Sequence, residues 1–187
     1  MYRSLLCLFT FLAAPVVANA ADDFKLESGF TLLFNGKDLS GWKVAPNKDK
    51  DKSGDSLEGK AESPTKRFVV TDGVIVIDGK VKGDIAITTE KTFAKDAHIK
   101  FDFKPGKGCN NDLFFRGIKF DIKSPDIKNM KEDEWNTFEI VVTGTQAEIK
   151  CNGELVKKQT AKAGATPLSI RAEFGAIDFR RIRIKSE

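Results

Sequence analysis

The stretch Ala-His-Ile-Lys-Phe-Asp-Phe-Lys-Pro-Gly, residues 97–106, decides the fold. Ala97, Ile99, Phe101 and Phe103 alternate with His98, Lys100, Asp102 and Lys104. A period of two puts one set on a buried sheet face and the other in water. The same grammar continues on both sides. Phe68 to Gly79 holds two β-branched runs around Asp72-Gly73, a strong hairpin signal. Trp135 to Val156 reads as three strands joined at Thr143-Gly144 and Asn152-Gly153. Residues 30–34, 83–89, 168–175 and 176–185 read as further strands, and so does the run from Cys109 to Lys123. Helical periodicity is confined to a short expected turn near 126–133. Many short strands with turn chemistry between them predict a single all-β domain, a jelly roll or β-sandwich.

The first twenty residues stand apart. Arg3 supplies a positive start, Leu5 to Val17 is apolar but too short to span a bilayer, and Ala18-Asn19-Ala20 offers small residues to a signal peptidase. The expectation is a signal peptide over 1–20, a domain over 21–187, and secretion or a periplasmic location. Without Arg3 the chain has 30 basic and 27 acidic residues, a net charge of +3. These charges are interleaved, which argues against a nucleic-acid footprint. No later segment is long and apolar enough for a membrane-spanning helix. Oligomeric state is not legible.

Cys109 and Cys151 remain after the signal. An exported chain permits a bridge between them. Cys151 also shares the buried alternation of Ala147 and Ile149, which would make it core. One histidine in the whole chain gives a Cys/His zinc site no support.

Three stretches resemble the 3-keto-disaccharide hydrolase domain family, a group with a concanavalin A-like jelly roll. They are Leu33 to Trp42, Glu134-Trp135-Asn136 and Phe179 to Lys185, with Asp72-Gly73-Val74-Ile75 and Cys151-Asn152-Gly153-Glu154 in order between them. The resemblance implies a carbohydrate ligand and cleavage of glycosides oxidised at C3. A 3-keto group acidifies the proton on the neighbouring carbon. A base removes it, and the glycosidic oxygen leaves by elimination. Such chemistry needs a base and donors, or a divalent metal such as calcium, for the enolate. By the same resemblance Asn110 and Arg116 hold the family's Asn and Arg positions. Lys119 and Asp121 stand where the family has Glu and Gln, and Phe174 stands where it has His.

From the residues themselves, Ser169, Arg171 and Glu173 share one strand face, and Leu168, Ile170, Ala172 and Phe174 the other. Arg171 and Glu173 either grip a sugar or form a cross-strand ion pair. Lys119 and Asp121 also share a face, and either could act as a base. Arg116 lies among phenylalanines and needs an acidic partner or an open cleft. The candidate catalytic residues are therefore Asp121, Glu173 and Lys119, with Arg116, Arg171 and Asn110 for substrate. Arg116, Asp121, Arg171 and Glu173 are expected in one polar cleft on a concave sheet. His98 reads as a surface histidine or a titrating base. Asp72, Asp78 and Asp84 sit at turns, where Asp is favoured with or without calcium. Trp42 and Trp135 read as structural, Trp135 closing the core. The glycan, the metal and the base are not identified by sequence, and a non-catalytic glycan-binding domain or a structural envelope domain fits the same pattern. No metal-ligand set and no required cofactor is legible.

Cleavage after Ala20 leaves a mature chain beginning at Ala21. Intact-mass spectrometry of the exported protein should give that mass, and a retained N-terminus would overturn the export reading.

Overall fold

The computed structural model describes residues 23–46, 54–81, 83–124 and 126–187. The expected signal peptide lies outside them, as do residues 21–22, 47–53, 82 and 125. Two antiparallel sheets hold all the described strands. The larger is built from β1 (Thr31–Leu32), β3 (Val69–Thr71), β4 (Val74–Ile77), β6 (Ala97–Pro105), β9 (Asn136–Thr143), β10 (Gln146–Cys151), β11 (Glu154–Thr160) and β13 (Ile177–Ser186). Its order is β11-β10-β9-β6-β13-β4-β3, with β1 also on β13. The smaller sheet runs β2 (Trp42–Val44), β5 (Ile85–Thr89), β12 (Ser169–Phe174), β7 (Asn110–Phe115) and β8 (Ile118–Lys123). The all-β sandwich is thus observed, with no α-helix among the described residues. The expected helical turn near 126–133 is a run of bends and turns, and the strand expected over 30–34 pairs only at Thr31 and Leu32.

The alternation in β6 does its work as expected. Ile99, Phe101 and Phe103 are buried, and Phe101 stacks on Phe138 of β9 with ring centroids 5.0 Å apart. Phe120 of β8 meets the same Phe138 at 5.1 Å, so one ring joins the two sheets. Removing such a ring costs about 3–5 kcal/mol in typical cores. Trp42 is fully buried and donates its indole N–H to Leu33 O at 2.6 Å. Trp135 does not close the core. It is half-buried, with the Arg180 guanidinium 4.1 Å from its ring centroid. A buried Asp102 breaks the polar face of β6, held by Arg181 at 2.6 Å and Arg180 at 3.2 Å.

Among the described residues, three two-residue hairpins have both residues at positive φ, the conformation that suits the strand twist. Asp72-Gly73 (φ 49° and 79°) and Asn152-Gly153 (49° and 82°) match their sequence signals. The third is Arg116-Gly117 (47° and 75°), which splits the run from Cys109 to Lys123 into β7 and β8. A Cβ at Gly117 would meet only the exposed Lys162 side chain, which can swing aside, so it is the positive φ that calls for glycine.

Arg116 is not in a cleft, which corrects its expected substrate-binding role. It is 4% exposed. Its guanidinium donates to Lys162 O (2.9 Å), Gly144 O (3.1 Å) and Lys95 O (3.2 Å). It needs neither carboxylate nor solvent, because three carbonyl dipoles accept its protons. Of the two readings for the cysteines, the bridge is not formed: Cys109 and Cys151 are buried free thiols, Cys151 lies in the core, and burial pushes them up to about 11 and about 12.

Arg116→Ala should destabilise the fold by on the order of 3 kcal/mol, because buried carbonyls lose charged donors. Arg116→Lys should recover little, since one ammonium nitrogen cannot span carbonyls that three separate guanidinium nitrogens reach. Urea melts measure both, and a near-neutral Arg116→Ala would show the clamp to be dispensable.

Candidate functional site

The outer face of the smaller sheet carries a connected set of charges. The hairpin turn at 116–117 fixes it. Residues equidistant from that turn face each other, so Asp112 lies opposite Asp121, and Phe114 opposite Lys119. On the other side of β7, Arg171 of β12 lies opposite Asp112. Side chains opposite one another in an antiparallel pair share a face. The register therefore gathers Arg171, Asp112 and Asp121 in one row across three strands.

The contacts follow that row. Arg171 Nη2 is 2.6 Å from Asp112 Oδ2 and 2.6 Å from Glu173 Oε2, and its Nε is 3.6 Å from Asp84 Oδ1. Lys119 Nζ is 2.6 Å from Asp121 Oδ1 and 3.3 Å from Asp112 Oδ1. Asp112 sits beneath both cations with its side chain 0% exposed. Arg171 and Lys119 hold it as ion-pair partners at 2.6 Å and 3.3 Å.

That environment separates two carboxylates. Burial pushes the Asp112 carboxyl up to about 6, helped by the hydrogen bond it gives Asp121 when protonated and opposed by Arg171 and Lys119. The Lys119 hydrogen bond holds Asp121 below its usual range. Lys119 is in turn raised, first by its bond to Asp121. A lysine held protonated does not fit the expected role of base and acts as a cation instead. Environments that push neighbouring carboxyls apart are a common feature of sites that handle protons.

Asp121, Glu173, Lys119 and Arg171 are thus brought together, while Arg116 lies apart in its carbonyl cage. Asn110 joins the same face, opposite Lys123, and its Oδ1 is buried without a hydrogen-bond partner. Asp112 was missed by sequence reading. The signal that would have found it is the Arg-Gly hairpin, because Asp112 and Asp121 are symmetric about it. Beside Asp121, a shallow recess of about 240 Å³ is lined by Phe120, Asp126, Val156 and Lys157, where the edges of the two sheets meet. His98 lies on the other sheet, with a ring nitrogen 2.7 Å from Glu139 Oε2. Asp78 accepts from Lys80 N, and Asp84 reaches toward Arg171. Among the described residues no three His, Cys, Asp or Glu side chains are grouped to hold a metal ion.

β12 departs from strict alternation. Arg171 is paired with Asp112 but Phe174 with Asn110, so one extra residue is accommodated on β12. Asn111 locks this bulge from the inner side: its Oδ1 accepts from Glu173 N at 3.0 Å and its Nδ2 donates to Phe174 O at 3.0 Å. The shift turns Phe174 onto the charged face and leaves it 69% exposed, against the expectation that it shares the core face with Ala172.

The sequence profile of the 3-keto-alpha-glucoside-1,2-lyase-like domain matches residues 29–130 and 119–185. A comparison with curated proteins finds no match. Among solved structures, a "putative glycosyl hydrolase" from Parabacteroides distasonis ATCC 8503 is 20% identical with a TM-score of 0.66, over 85% of this chain and 94% of that one. A second from the same strain is 15% identical with a TM-score of 0.61, over 84% and 99%. The carbohydrate-binding module CBM66 from Bacillus subtilis is 12% identical with a TM-score of 0.50, over 79% and 96%.

The raised Asp112 carboxyl makes a testable pH signature. The folded state binds its proton more tightly than the unfolded chain, whose value is near 3.8. Its contribution to stability is therefore full below pH 3.8 and is lost as pH rises through about 6. Asp121 has the opposite sign, with its loss falling below 3.8. Melting temperatures of wild type and Asp112→Asn should diverge in the variant's favour as pH rises from 4 to 7. Parallel curves would show that Asp112 is not perturbed.

Proposed function

This chain belongs to the 3-keto-alpha-glucoside-1,2-lyase-like domain family, and from that membership we propose that it is an exported domain that cleaves 3-keto-glycosides by elimination on the outer face of its five-stranded sheet. The observation that carries the reading is the Asp112–Asp121 pair. One carboxylate is solvent-reaching and stays ionised, and the other lies beneath it with a stronger hold on a proton.

In this reading Asp121 accepts the proton from C2 of the 3-keto sugar. The C2–H electrons form the C1–C2 double bond, the C1–O bond breaks, and the leaving oxygen takes a proton from solvent. Asp121 is a weak base alone. Passing the proton inward to Asp112 restores it, because Asp112 holds a proton more tightly. Lys119 and Arg171 supply positive charge where the enolate oxygen develops. Glu173 keeps Arg171 oriented through its 2.6 Å contact.

A second reading is a glycan-binding domain without turnover. It is favoured by the ion pairing of the face: Asp84, Asp112, Asp121 and Glu173 all lie within ion-pair reach of Arg171 or Lys119. A carbohydrate-binding module is among the proteins that share the fold.

Release of p-nitrophenol from its 3-keto-α-glucoside tests the first reading. Asp121→Asn should lower the rate by about 100-fold or more. The acid limb of the pH–rate profile should fall near the Asp112 value of about 6 and vanish in Asp112→Asn. Saturable glycan binding without release selects the second reading, and the absence of both removes the two together.

A further inference from the structure

We propose that Phe174 is a stacking platform for the apolar C–H face of a hexopyranose, and that it sets which sugar ring the charged face receives. The inference rests on the carbohydrate reading above and adds a subsite to it.

Phe174 is the aromatic member of the exposed large apolar residues among the described positions; the others are Leu26, Leu32 and Leu155. It is also the most exposed of them, at 69%. Nothing about its backbone is loose. Asn111 holds both the N–H before it and its own carbonyl. Arg67, itself 2% exposed, donates to Glu173 O at 3.5 Å and to the carbonyls of Asp78 and Val81. Gly175 follows at φ 73°, where a Cβ would come within 2.9 Å of Cys109 Cα. A rigid backbone thus presents a ring to solvent. The cost of exposing an aromatic is held in place by a buried amide, a buried guanidinium and an obligatory glycine.

What surrounds the ring fits a sugar. The bulge places Glu173 and Phe174 consecutively on one face, with Arg171 on the same strand and Asn110 directly across. The Glu173 carboxylate beside the ring is 32% exposed, and a sugar hydroxyl is a donor of the right kind for it. The Arg171 side chain is 26% exposed and offers guanidinium N–H groups to a hydroxyl oxygen. A pyranose has one face of C–H bonds and a rim of hydroxyls that both donate and accept. An aromatic platform bordered by one partly exposed acceptor and one partly exposed donor matches that layout better than it matches an anion, a cation or an apolar chain. A ring with equatorial substituents on the stacking side lies flat on Phe174, whereas an axial hydroxyl on that side lifts it away.

The test uses the mature protein and two epimeric probes, methyl glucoside and methyl galactoside, read by saturation-transfer NMR and by titration of backbone shifts. The expected result is preferential binding of the glucoside, with saturation strongest at the ring C–H protons. Phe174→Ala should weaken it about tenfold and abolish the preference, while Phe174→Trp retains both. Arg171→Ala is the control for the face as a whole. If Arg171→Ala weakens binding and Phe174→Ala leaves affinity and preference unchanged, the platform is overturned and the charged face stands. If Phe174→Ala instead changes only the sedimentation coefficient, the ring is a contact between copies and the proposal fails. If neither probe binds the wild type, the platform fails together with the carbohydrate reading beneath it.

Discussion

A single buried cation governs how the two sheets meet at one corner. Arg116 draws together Lys95 before β6, Gly144 between β9 and β10, and Lys162 after β11. Those segments belong to the larger sheet or its connections, while Arg116 sits at the tip of a hairpin in the smaller one. A guanidinium without a carboxylate would normally be costly to bury. Here the charge is met by carbonyl dipoles in fixed positions, and Thr166 Oγ1 accepts the Arg116 backbone N–H at 2.8 Å. The clamp fixes the hairpin tip, and the tip fixes the register of β7 on β8. The Asp112–Asp121 and Phe114–Lys119 pairings on the charged face follow from that register.

The site depends on two further constraints with opposite demands. A carboxylate at position 112 is forced out of water, which favours its neutral form. Two cations close over it, which favours the charged form. The balance leaves Asp112 near neutrality's acid side, at about 6, instead of deep in either regime. Were Arg171 and Lys119 farther away, burial alone would keep Asp112 protonated and the pair could not exchange a proton with solvent. Were Asp112 exposed, both carboxyls would titrate together and one could not relieve the other. The separation of the two is a product of depth, set by the pleat of β7 beneath the longer side chains of β8 and β12.

The fold class was legible because alternation is a local signal. Residues 97–104 carry it without reference to any partner strand, and Asp72-Gly73 and Asn152-Gly153 announce their hairpins by composition. The site was only partly legible because its geometry rests on two exceptions to alternation. Arg-Gly is not a favoured hairpin pair, so β7 and β8 read as one strand and Arg116 fell on a sheet face. Phe174 follows Ala172 by two, which strict alternation sends to the core. The bulge that reverses it depends on Asn111, an amide on a different strand. Asp112 was hidden by the same merged strand. The cysteines left two readings open, a bridge because export permits one and core because Cys151 shares a buried alternation; both are buried free thiols, so position outweighs compartment.

The charge of the face narrows what can bind there. Four carboxylates, Asp84, Asp112, Asp121 and Glu173, surround two cations, Lys119 and Arg171. Fully ionised, that cluster carries two negative charges, and protonation of Asp112 reduces them to one. Phosphorylated or sulfated ligands would meet net repulsion, even though the chain as a whole is basic. A neutral polyol meets no such penalty. It can replace water at each charged group one hydrogen bond at a time, and its carbonyl, when oxidised, can point at a cation without displacing a carboxylate. The local field therefore favours a neutral polyol, the class of ligand proposed for the aromatic ring beside it, through an independent physical route.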